Sequence, residues 1–578
     1  MTSALDMNLI VRAIFAVALL ASGIVAVSQV KPKADLIITN ARVWTVDPHQ
    51  PRAEAVAILG ERIVAVGPAS EIDRWRGDTT RVIDAHGHLM LPGFNDAHLH
   101  FTPGGLSLDA LNLRDAATPA EFARRIAERA ANTPAGEWIT GGAWDDQVWV
   151  QKSGGHDELP TRQLIDAATR NVPVLVERLD GHMALANSAA LKIIGITRNT
   201  PDPPGGEIVR DAHGEPTGIL KDAAMAAAYA KVPPISHERR LKAVRRAMAH
   251  AARVGITSVQ DMNPSYQDVA TYAELAERGE LTVRIYAAPV IAAWQDQAKL
   301  GLRHAFGSPW LRYGAVKAYA DGSLGSTTAY MFAPYRDAPQ SHGLLAEDML
   351  PADKILRNLL GADRANLQAC THAIGDRAVF TVLDLYAEVE KQHGPRDRRF
   401  RIEHAQHVAP KDFGRFRDLG VIASMQPYHA IDDGRWAETR ISHQLASTSY
   451  AWRTMLDNHV HLAFGTDWPV APLEPLTSLY AAVTRATLDG KHPQGWFPEQ
   501  KLTVAEAIEA YTLGSAYAEF QEKQKGSITA GKLADLILLS DDVFTIDPKA
   551  IQDVTIDLTV VGGRIVYQSA HPTNPQPR

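Results

Sequence analysis

The chain has 578 residues, too many for one ordinary domain of about 100–200 residues, although a single barrel with additions could hold them. Hydrophobic residues make up 46% and charged residues 22%, which is typical of a folded globular protein and argues against disorder. With 59 basic and 66 acidic residues the net charge is −7, which argues against nucleic acid as a partner. The single cysteine, Cys370, excludes an intramolecular disulfide and any zinc site built on cysteine pairs.

Residues 1–30 have the pattern of a segment that directs export. Residues 13–30 carry no charge and follow Arg12, and Ala26-Val-Ser28 places small residues at the positions that a signal peptidase reads. The alternative is an uncleaved membrane anchor over 13–30, since about 18 apolar residues are just enough to span a bilayer. We expect a signal peptide and an exported protein, periplasmic or secreted.

Short strands at both ends of the chain predict a small β-sandwich. Residues 34–88 contain strand-like runs with alternating polarity, separated by turn residues such as Gly60-Glu61. Residues 525–572 show the same pattern. Because neither segment could close a core alone, we expect one sandwich built from both.

The region between them, residues 89–524, alternates strand-like runs with segments of helical periodicity, which indicates βα units and a parallel sheet. Eight predicted strands suggest a (β/α)₈ barrel, a TIM-like α/β fold. These strands cover 91–101, 256–262, 283–288, 313–320, 367–372, 400–406, 421–426 and 461–467.

The stretch after the first predicted strand is too long for a βα connection. Residues from about 103 to 235 include a predicted helix at 119–131 and strand-like runs of their own. We therefore expect an inserted subdomain on the catalytic end of the barrel.

Histidine pairs of the form His-x-His place two imidazoles on one face of a strand, because side chains alternate with a period of two. Position distinguishes the pairs, since catalytic residues of such barrels lie at the carboxyl ends of the strands. His98 and His100 end the first predicted strand, and they predict metal ligands. The other pairs, His86/His88 and His459/His461, lie elsewhere and are interpreted as solvated or packed histidines.

Four other predicted strands carry a ligand-type side chain toward the same rim. These side chains are Lys317, His372, His404 and Asp467. A lysine within an apolar strand requires modification or a charged partner. Five strands that each deliver such a residue to one rim predict a metal site there.

Seven motifs of the chain resemble the amidohydrolase superfamily, in the branch that contains the N-substituted formamide deformylases. The motifs are LPGFNDAHLHF (91–101), LDGHMALANSAAL (179–191), GGEIVRDAHGEPTG (205–218), VKAYADGSLGS (316–326), THAIGDRA (371–378), RIEHAQ (401–406) and FGTDWPV (464–470). The resemblance covers residues 34 to about 566. It implies a (β/α)₈ barrel with a metal centre at its carboxyl-terminal rim and a flanking β-sandwich.

The resemblance also implies six metal ligands, His98, His100, Lys317, His372, His404 and Asp467. The first two histidines and the aspartate would hold one divalent ion, and the last two histidines a second. CO₂ would carboxylate the lysine amine, and the carbamate would bridge both ions. Imidazole and oxygen ligands favour Zn²⁺, with Mn²⁺ or Fe²⁺ as alternatives. Superfamily members differ in metal number, so one ion and two ions both stay open.

Asp467 and Lys317 are the predicted catalytic residues. The metals would lower the pKa of a bound water, and Asp467 would accept its proton and pass it to the leaving nitrogen. Cys370 is interpreted as packing. Candidate substrate-binding residues are Trp144, Asp145, His182, Tyr428 and His429. Asp321 and Ser323 are candidates for orienting the carbamate.

These features predict a metal-dependent hydrolase of a non-peptide C–N bond in a small N-substituted amide or formamide. Two alternatives stay open, namely a deaminase or cyclic amide hydrolase that uses the same site, and a non-catalytic binding or regulatory protein with the same fold. Such barrels change substrates through their loops, so the exact substrate does not follow from the sequence. A homodimer is compatible with the sequence, and membrane contact is expected only through an uncleaved N-terminal segment.

Overall fold

The computed structural model describes residues 32–134, 136–149 and 159–570. The predicted export segment, residues 1–30, therefore lies outside the described residues. Within the described ranges, no helix combines the length and the apolar character needed to cross a bilayer.

The two ends of the chain together form two β-sheets, of which the smaller contains N-terminal strands alone and the larger contains strands from both ends. The smaller has the strand order Arg62–Gly67, Ala55–Leu59, Leu36–Thr39, Arg81–Asp84. The larger has the order Arg564–Gln568, Ile556–Val561, Leu536–Leu539, Leu89–Pro92, Arg42–Trp44, Arg52–Ala53. Leu36 and Ile38 point into the core between the sheets, whereas Ile37 packs on the opposite face, as the strand alternation requires.

The strand predicted over 91–101 is in fact two strands in different sheets. Leu89–Pro92 pairs with Leu536–Leu539 in the sandwich, and the chain then enters the barrel as Phe94–Leu99. The change of sheet occurs at Gly93, where an added Cβ would lie 2.1 Å from Thr257 Cγ2. Apolar residues continue across this switch, so periodicity alone did not reveal it.

Eight parallel strands form the TIM-barrel-like part of the molecule. They are β1 (Phe94–Leu99), β2 (Ile256–Met262), β3 (Arg284–Ala288), β4 (Ala315–Tyr319), β5 (Gln368–Ala373), β6 (Arg401–His404), β7 (Ile422–Met425) and β8 (Leu462–Phe464). The fourth predicted strand is split at Gly314 (φ 102°), and its first part, Leu311–Tyr313, pairs with β3.

The eight strands are arranged in two sheets rather than one continuous ladder. One sheet contains β1, β2 and β3, and the other runs from β4 to β8. Individual backbone hydrogen bonds join them, from Lys317 N to Pro289 O (2.8 Å) and from Asp467 N to His98 O (2.7 Å). The carboxyl ends of the strands consequently meet on one rim.

Helices cover the outside of these strands. The principal ones are Phe101–Ser107, His237–Arg253, Tyr266–Glu277, Trp294–Lys299, Lys354–Arg364, Asp376–His393, Phe413–Asp418, Pro427–Asp433, Pro475–Thr484 and Val504–Glu509. His237–Arg253 illustrates why they form where they do. The Ser236 side chain caps its N-terminus by accepting a hydrogen bond from Arg239 N, and its buried face consists of small and apolar residues such as Val244 and Ala247.

The region after β1 forms a subdomain with its own sheet. The strand order is Gly206–Arg210, Pro216–Asp222, Met183–Ala186, Val174–Arg178, Ile139–Trp144, Leu111–Asn112. Its helices are Pro119–Ala131, Gln163–Thr169, Ser188–Ile194 and Ala223–Tyr229. Pro119–Ala131 has the predicted bounds, because Thr118 accepts the first-turn amide of Glu121 and proline occupies the first position.

Candidate metal centre

The carboxyl-terminal rim of the barrel collects the side chains that the sequence singled out. His98 lies near the end of β1 and His100 just after it. Lys317, His372 and His404 lie on β4, β5 and β6, and Asp467 lies three residues beyond β8. All of them line one cavity of about 590 Å³.

His98, His100 and Asp467 form the first group of potential ligands. Asp467 Oδ1 lies 3.5 Å from His98 Nε2 and 3.3 Å from His100 Nε2. The ligand atoms of the three residues all lie within 4.8 Å of one another. Lys317 Nζ approaches the same histidine, 3.4 Å from His98 Nε2. The geometry therefore brings together the first predicted ligand set and the lysine.

The second group differs from the expectation. His404, His429 and Asp467 have ligand atoms within 4.8 Å of one another, with His429 Nε2 at 3.3 Å from Asp467 Oδ2. His372 belongs to neither group among the described residues. Its Nε2 lies 3.0 Å from Gly322 O, while its ring lies 4.6 Å from that of His404. His372 is thus adjacent to the centre, but it would offer Nδ1 rather than Nε2.

Three of the histidines are oriented by acceptors behind them. In each case Nδ1 meets an acceptor and Nε2 is left toward the site, which is the arrangement that fixes the tautomer of metal-binding histidines. The pairs are His98 with Glu403 Oε2 (2.6 Å), His100 with Met262 O (2.7 Å) and His404 with Gln426 Oε1 (2.8 Å).

Burial lowers the pKa of three of the histidines and of the lysine. Burial lowers the pKa of His98 to about 4, and it holds the pKa of His372 and of His404 well below the ordinary value. Burial likewise lowers the pKa of Lys317 to about 8, which raises the share of the neutral amine that can attack CO₂. Burial alone would raise the pKa of Asp467, but hydrogen bonds with His100 and His429 hold it well below its usual range.

The backbone at two of these residues is strained. His404 has φ 72° and Asp467 has φ 63°, both in the left-handed region that residues with a Cβ rarely adopt. Such conformations cost about 1–3 kcal/mol and persist only where the surrounding structure enforces them. The strain is concentrated where two strands turn a ligand side chain toward the rim.

The donor set fits divalent metal ions. It consists of several imidazoles, among which burial favours the neutral form of His98, His372 and His404, one ionised carboxylate, and an amine that carboxylation would convert into a second carboxylate-like ligand. This combination of nitrogen and oxygen donors is the type that Zn²⁺ and related ions prefer.

The candidate substrate-binding residues divide into two sets. The described residues that line the cavity include Asp145, His182 and His429. They do not include Trp144 or Tyr428. Trp144 is fully buried in the core of the subdomain, 6.4 Å from the Trp149 ring. The Trp144 indole donates to Val176 O within this core, so the structure places Trp144 away from the cavity that Asp145 lines.

The cavity residues from the subdomain are held by ion pairs. Asp145 Oδ2 lies 3.1 Å from an Arg435 guanidinium nitrogen, which ties the subdomain to the barrel. His182 Nδ1 lies 2.7 Å from Asp222 Oδ1. Burial opposes protonation of His182, but Asp222 outweighs it and raises the pKa of His182 to about 8. His182 is therefore a cation at neutral pH.

Neither Asp321 nor Ser323 contacts the Lys317 amine. Asp321 accepts backbone amides of Tyr330, Ile374 and Gly375, and Ser323 donates to Asp180 Oδ2. Both line the cavity, but their direct role is to hold its loops.

The sequence reasoning missed Glu403 and Gln426, the acceptors behind His98 and His404. Glu403 directly precedes a predicted ligand in the RIEHAQ motif, and it lies on the same strand face as Arg401, whose Nε is 2.7 Å from Glu403 Oε1. An acidic residue in a fully buried strand was the signal that could have identified it. Gln426, at the end of a predicted strand, gave no comparable signal.

Comparisons with known proteins agree with this architecture. A family model described as "Amidohydrolase family" matches residues 81–567. The chain is 37% identical to "Protein LONG AFTER FAR-RED 3" of Arabidopsis thaliana, covering 92% of each chain. It is 31% identical to "Putative amidohydrolase YtcJ" of Bacillus subtilis, over 91% of this chain and 98% of that protein.

Two further similarities bear on chemistry. An "N-substituted formamide deformylase" of Arthrobacter pascens is 28% identical, over 92% of this chain and 98% of that protein. The crystal structure of an uncharacterized metal-dependent hydrolase from Pyrococcus horikoshii superposes with a TM-score of 0.71 at 26% identity, covering 89% of this chain and 99% of that one. The sequence-based assignment of the family is confirmed, and the protein belongs to the amidohydrolase family.

Proposed function

We propose that the protein is a metal-dependent hydrolase that cleaves a non-peptide C–N bond in an N-substituted amide or formamide. The observation that carries this proposal is the buried donor set at the strand ends, which opens into a cavity large enough for a small molecule. The relative named as a formamide deformylase, similar over 92% of this chain, supports this bond type.

His98, His100 and Asp467 would hold one ion, and His404 with the carboxylated Lys317 would take part in holding a second. Either His372 or His429 would complete the second set, since one ring is adjacent to His404 and the other lies against Asp467. Bound divalent ions supply Lewis-acid polarisation of a carbonyl group and acidify water. The ions proposed are Zn²⁺.

Asp467 is the proposed proton carrier. Its Oδ1 faces His98 and His100 and its Oδ2 faces His429, so the carboxylate lies at the junction of both ligand groups. From there it would accept a proton from water and deliver it to the leaving nitrogen. His182, a half-buried side chain on the cavity wall whose pKa is raised to about 8, is proposed to bind a polar oxygen of the substrate.

The test is metal content by plasma mass spectrometry on purified protein, together with product analysis. About two equivalents of zinc that fall sharply in Lys317→Ala would support the binuclear site. Release of a free amine together with formate or another acid, without ammonia, would support the bond type, and ammonia release would favour the deaminase alternative. Metal-free protein that cannot be reconstituted would refute the proposal in favour of a binding protein.

Export is a separate proposal that depends on residues 1–30. Mass spectrometry of the protein recovered from the native cell would show a new N-terminus after about residue 28 if the segment is cleaved. An intact N-terminus in a membrane fraction would refute cleavage and favour the anchor.

A further inference from the structure

The charged side chains around the cavity are mostly acidic. Three are lysine or arginine, namely Arg178, Lys317 and Arg435. Ten are carboxylates, namely Asp145, Glu177, Asp180, Asp222, Asp321, Glu347, Asp348, Asp432, Asp433 and Asp467. Most of the carboxylates are engaged by the protein itself, so the question is which of them remains available to a ligand.

Several cavity carboxylates are neutralised by cations. Asp180 pairs with Arg178 at 2.8 Å, and Asp145 and Asp432 share Arg435. Others accept hydrogen bonds from neutral donors, as Asp433 Oδ2 does from the Tyr450 hydroxyl and the Gln406 amide.

Asp222 pairs with His182, and Asp348 accepts a hydrogen bond from Tyr319 N and interacts electrostatically with Lys354. No lysine or arginine among the described residues acts on Glu177 in this way. Among the described residues its carboxylate has one hydrogen-bond partner, the Tyr229 hydroxyl, and no lysine or arginine pairs with it. Its strand, Val174–Arg178, belongs to the subdomain, so Glu177 lines the cavity from the subdomain and lies within electrostatic range of His100. Burial raises its pKa, which reflects the cost of leaving the charge uncompensated.

Apolar side chains of the subdomain lie beside Glu177. Met225 and Ala226 line the cavity and belong to the same helix as Tyr229, Ala223–Tyr229. Glu177 therefore offers a ligand in the cavity a carboxylate whose second oxygen has no hydrogen-bond partner among the described residues.

We propose that Glu177 is a specificity-determining residue that binds a positively charged group of the substrate, an ammonium or a guanidinium, at the end remote from the scissile amide. This inference rests on the proposed function, because it assumes that the scissile bond lies at the metal centre. Tyr229 positions the carboxylate and leaves its second oxygen to the ligand.

The test uses a pair of substrates of equal shape on the metal-loaded enzyme. N-[4-(aminomethyl)benzyl]formamide carries an ammonium where N-(4-ethylbenzyl)formamide carries a methyl group. We expect wild-type kcat/KM to favour the cationic compound by about 10- to 100-fold, the range for a hydrogen bond to a charged partner. Glu177→Gln should bring the ratio to about one, and Glu177→Asp should keep most of the preference.

Glu207→Gln is the matched control, because it removes a carboxylate of the same subdomain that already pairs with Lys221 at 2.9 Å. It should leave the ratio unchanged. Equal kcat/KM for both compounds in the wild type, or a preference that survives in Glu177→Gln, would overturn the inference.

Failure of the proposed function gives a different result. If neither formamide is hydrolysed, calorimetric titration of the same two compounds decides the role of Glu177. Binding of only the cationic compound, lost in Glu177→Gln, would support the inference although the proposed reaction fails. Equal binding of both compounds, or binding of neither, would refute it.

Discussion

Replacing Gln426 by leucine tests whether the hydrogen-bond acceptor behind His404 contributes to metal affinity. Gln426 is buried, and its Oε1 accepts the Nδ1–H of His404 at 2.8 Å, while its Nε2 donates to Ser424 O at 3.3 Å. Leucine has a similar size but accepts nothing. His404 would then lose the contact that fixes its tautomer and its ring orientation.

The magnitude follows from these contacts. Loss of an acceptor behind a metal-binding histidine typically lowers metal affinity about 10- to 100-fold. That loss corresponds to about 1.4–2.7 kcal/mol of binding free energy. The buried Nδ1–H left without a partner should also lower the free energy of unfolding of the metal-free protein by about 1–3 kcal/mol. No charge is stranded, because glutamine is neutral.

The assay is zinc competition with a chelator of known affinity, together with urea unfolding of the metal-free protein. Gln426→Glu, which keeps an acceptor, should retain affinity. Gln500→Leu is the matched control, because Gln500 is also buried and accepts a hydrogen bond from Thr454 N at 3.1 Å outside the metal centre. It should lose stability but no metal. Wild-type zinc affinity in Gln426→Leu would refute the role assigned to this contact.

Three further outcomes are expected. Asp467→Asn should lower kcat by at least about 100-fold, which is the usual contribution of a proton carrier, and should lower zinc content much less. Equal losses of kcat and of zinc content would instead mean that Asp467 acts only as a metal ligand. Gly104→Ala places a Cβ 2.1 Å from Cε3 of Trp468, the residue next to Asp467, so it should lower the free energy of unfolding by about 1–3 kcal/mol and reduce zinc content. Gly414→Ala is the control, because the nearest atom to its added Cβ is 3.9 Å away, and it should change neither quantity. Burial lowers the pKa of His407 to about 3, so between about pH 3 and 6.5 the unfolded chain binds a proton there that the folded protein does not, and stability decreases as the pH is lowered through this range. His407→Asn should therefore make the dependence of the unfolding free energy on pH, measured from about pH 4 to 6, shallower by up to about 1.4 kcal/mol per pH unit, and an unchanged slope would contradict the assignment.

The residue pattern determined the architecture and most of the candidate metal ligands. Parallel strands in βα units place their carboxyl ends on one rim, so residues at those ends, such as His98, His404 and Asp467, were predictable neighbours before any coordinate was known. The helix Pro119–Ala131 was predictable to the residue, because its cap and its apolar face are local properties.

Only the tertiary structure decided which way individual side chains point. Trp144 and Asp145 are adjacent in sequence, and only the packing of the subdomain shows that the indole lies in the core whereas the carboxylate lines the cavity. Gly93 marks a change of sheet because Thr257, remote in sequence, leaves no room for a side chain.

The same reason applies to the metal centre and to the cavity wall. The contact of His429 with Asp467, the acceptors Glu403 and Gln426, and the single partner of Glu177 each depend on elements brought together from distant parts of the chain. Sequence periodicity reports the face of a strand or helix on which a residue lies, whereas these contacts depend on non-local packing and on the hydrogen-bond geometry that results from it.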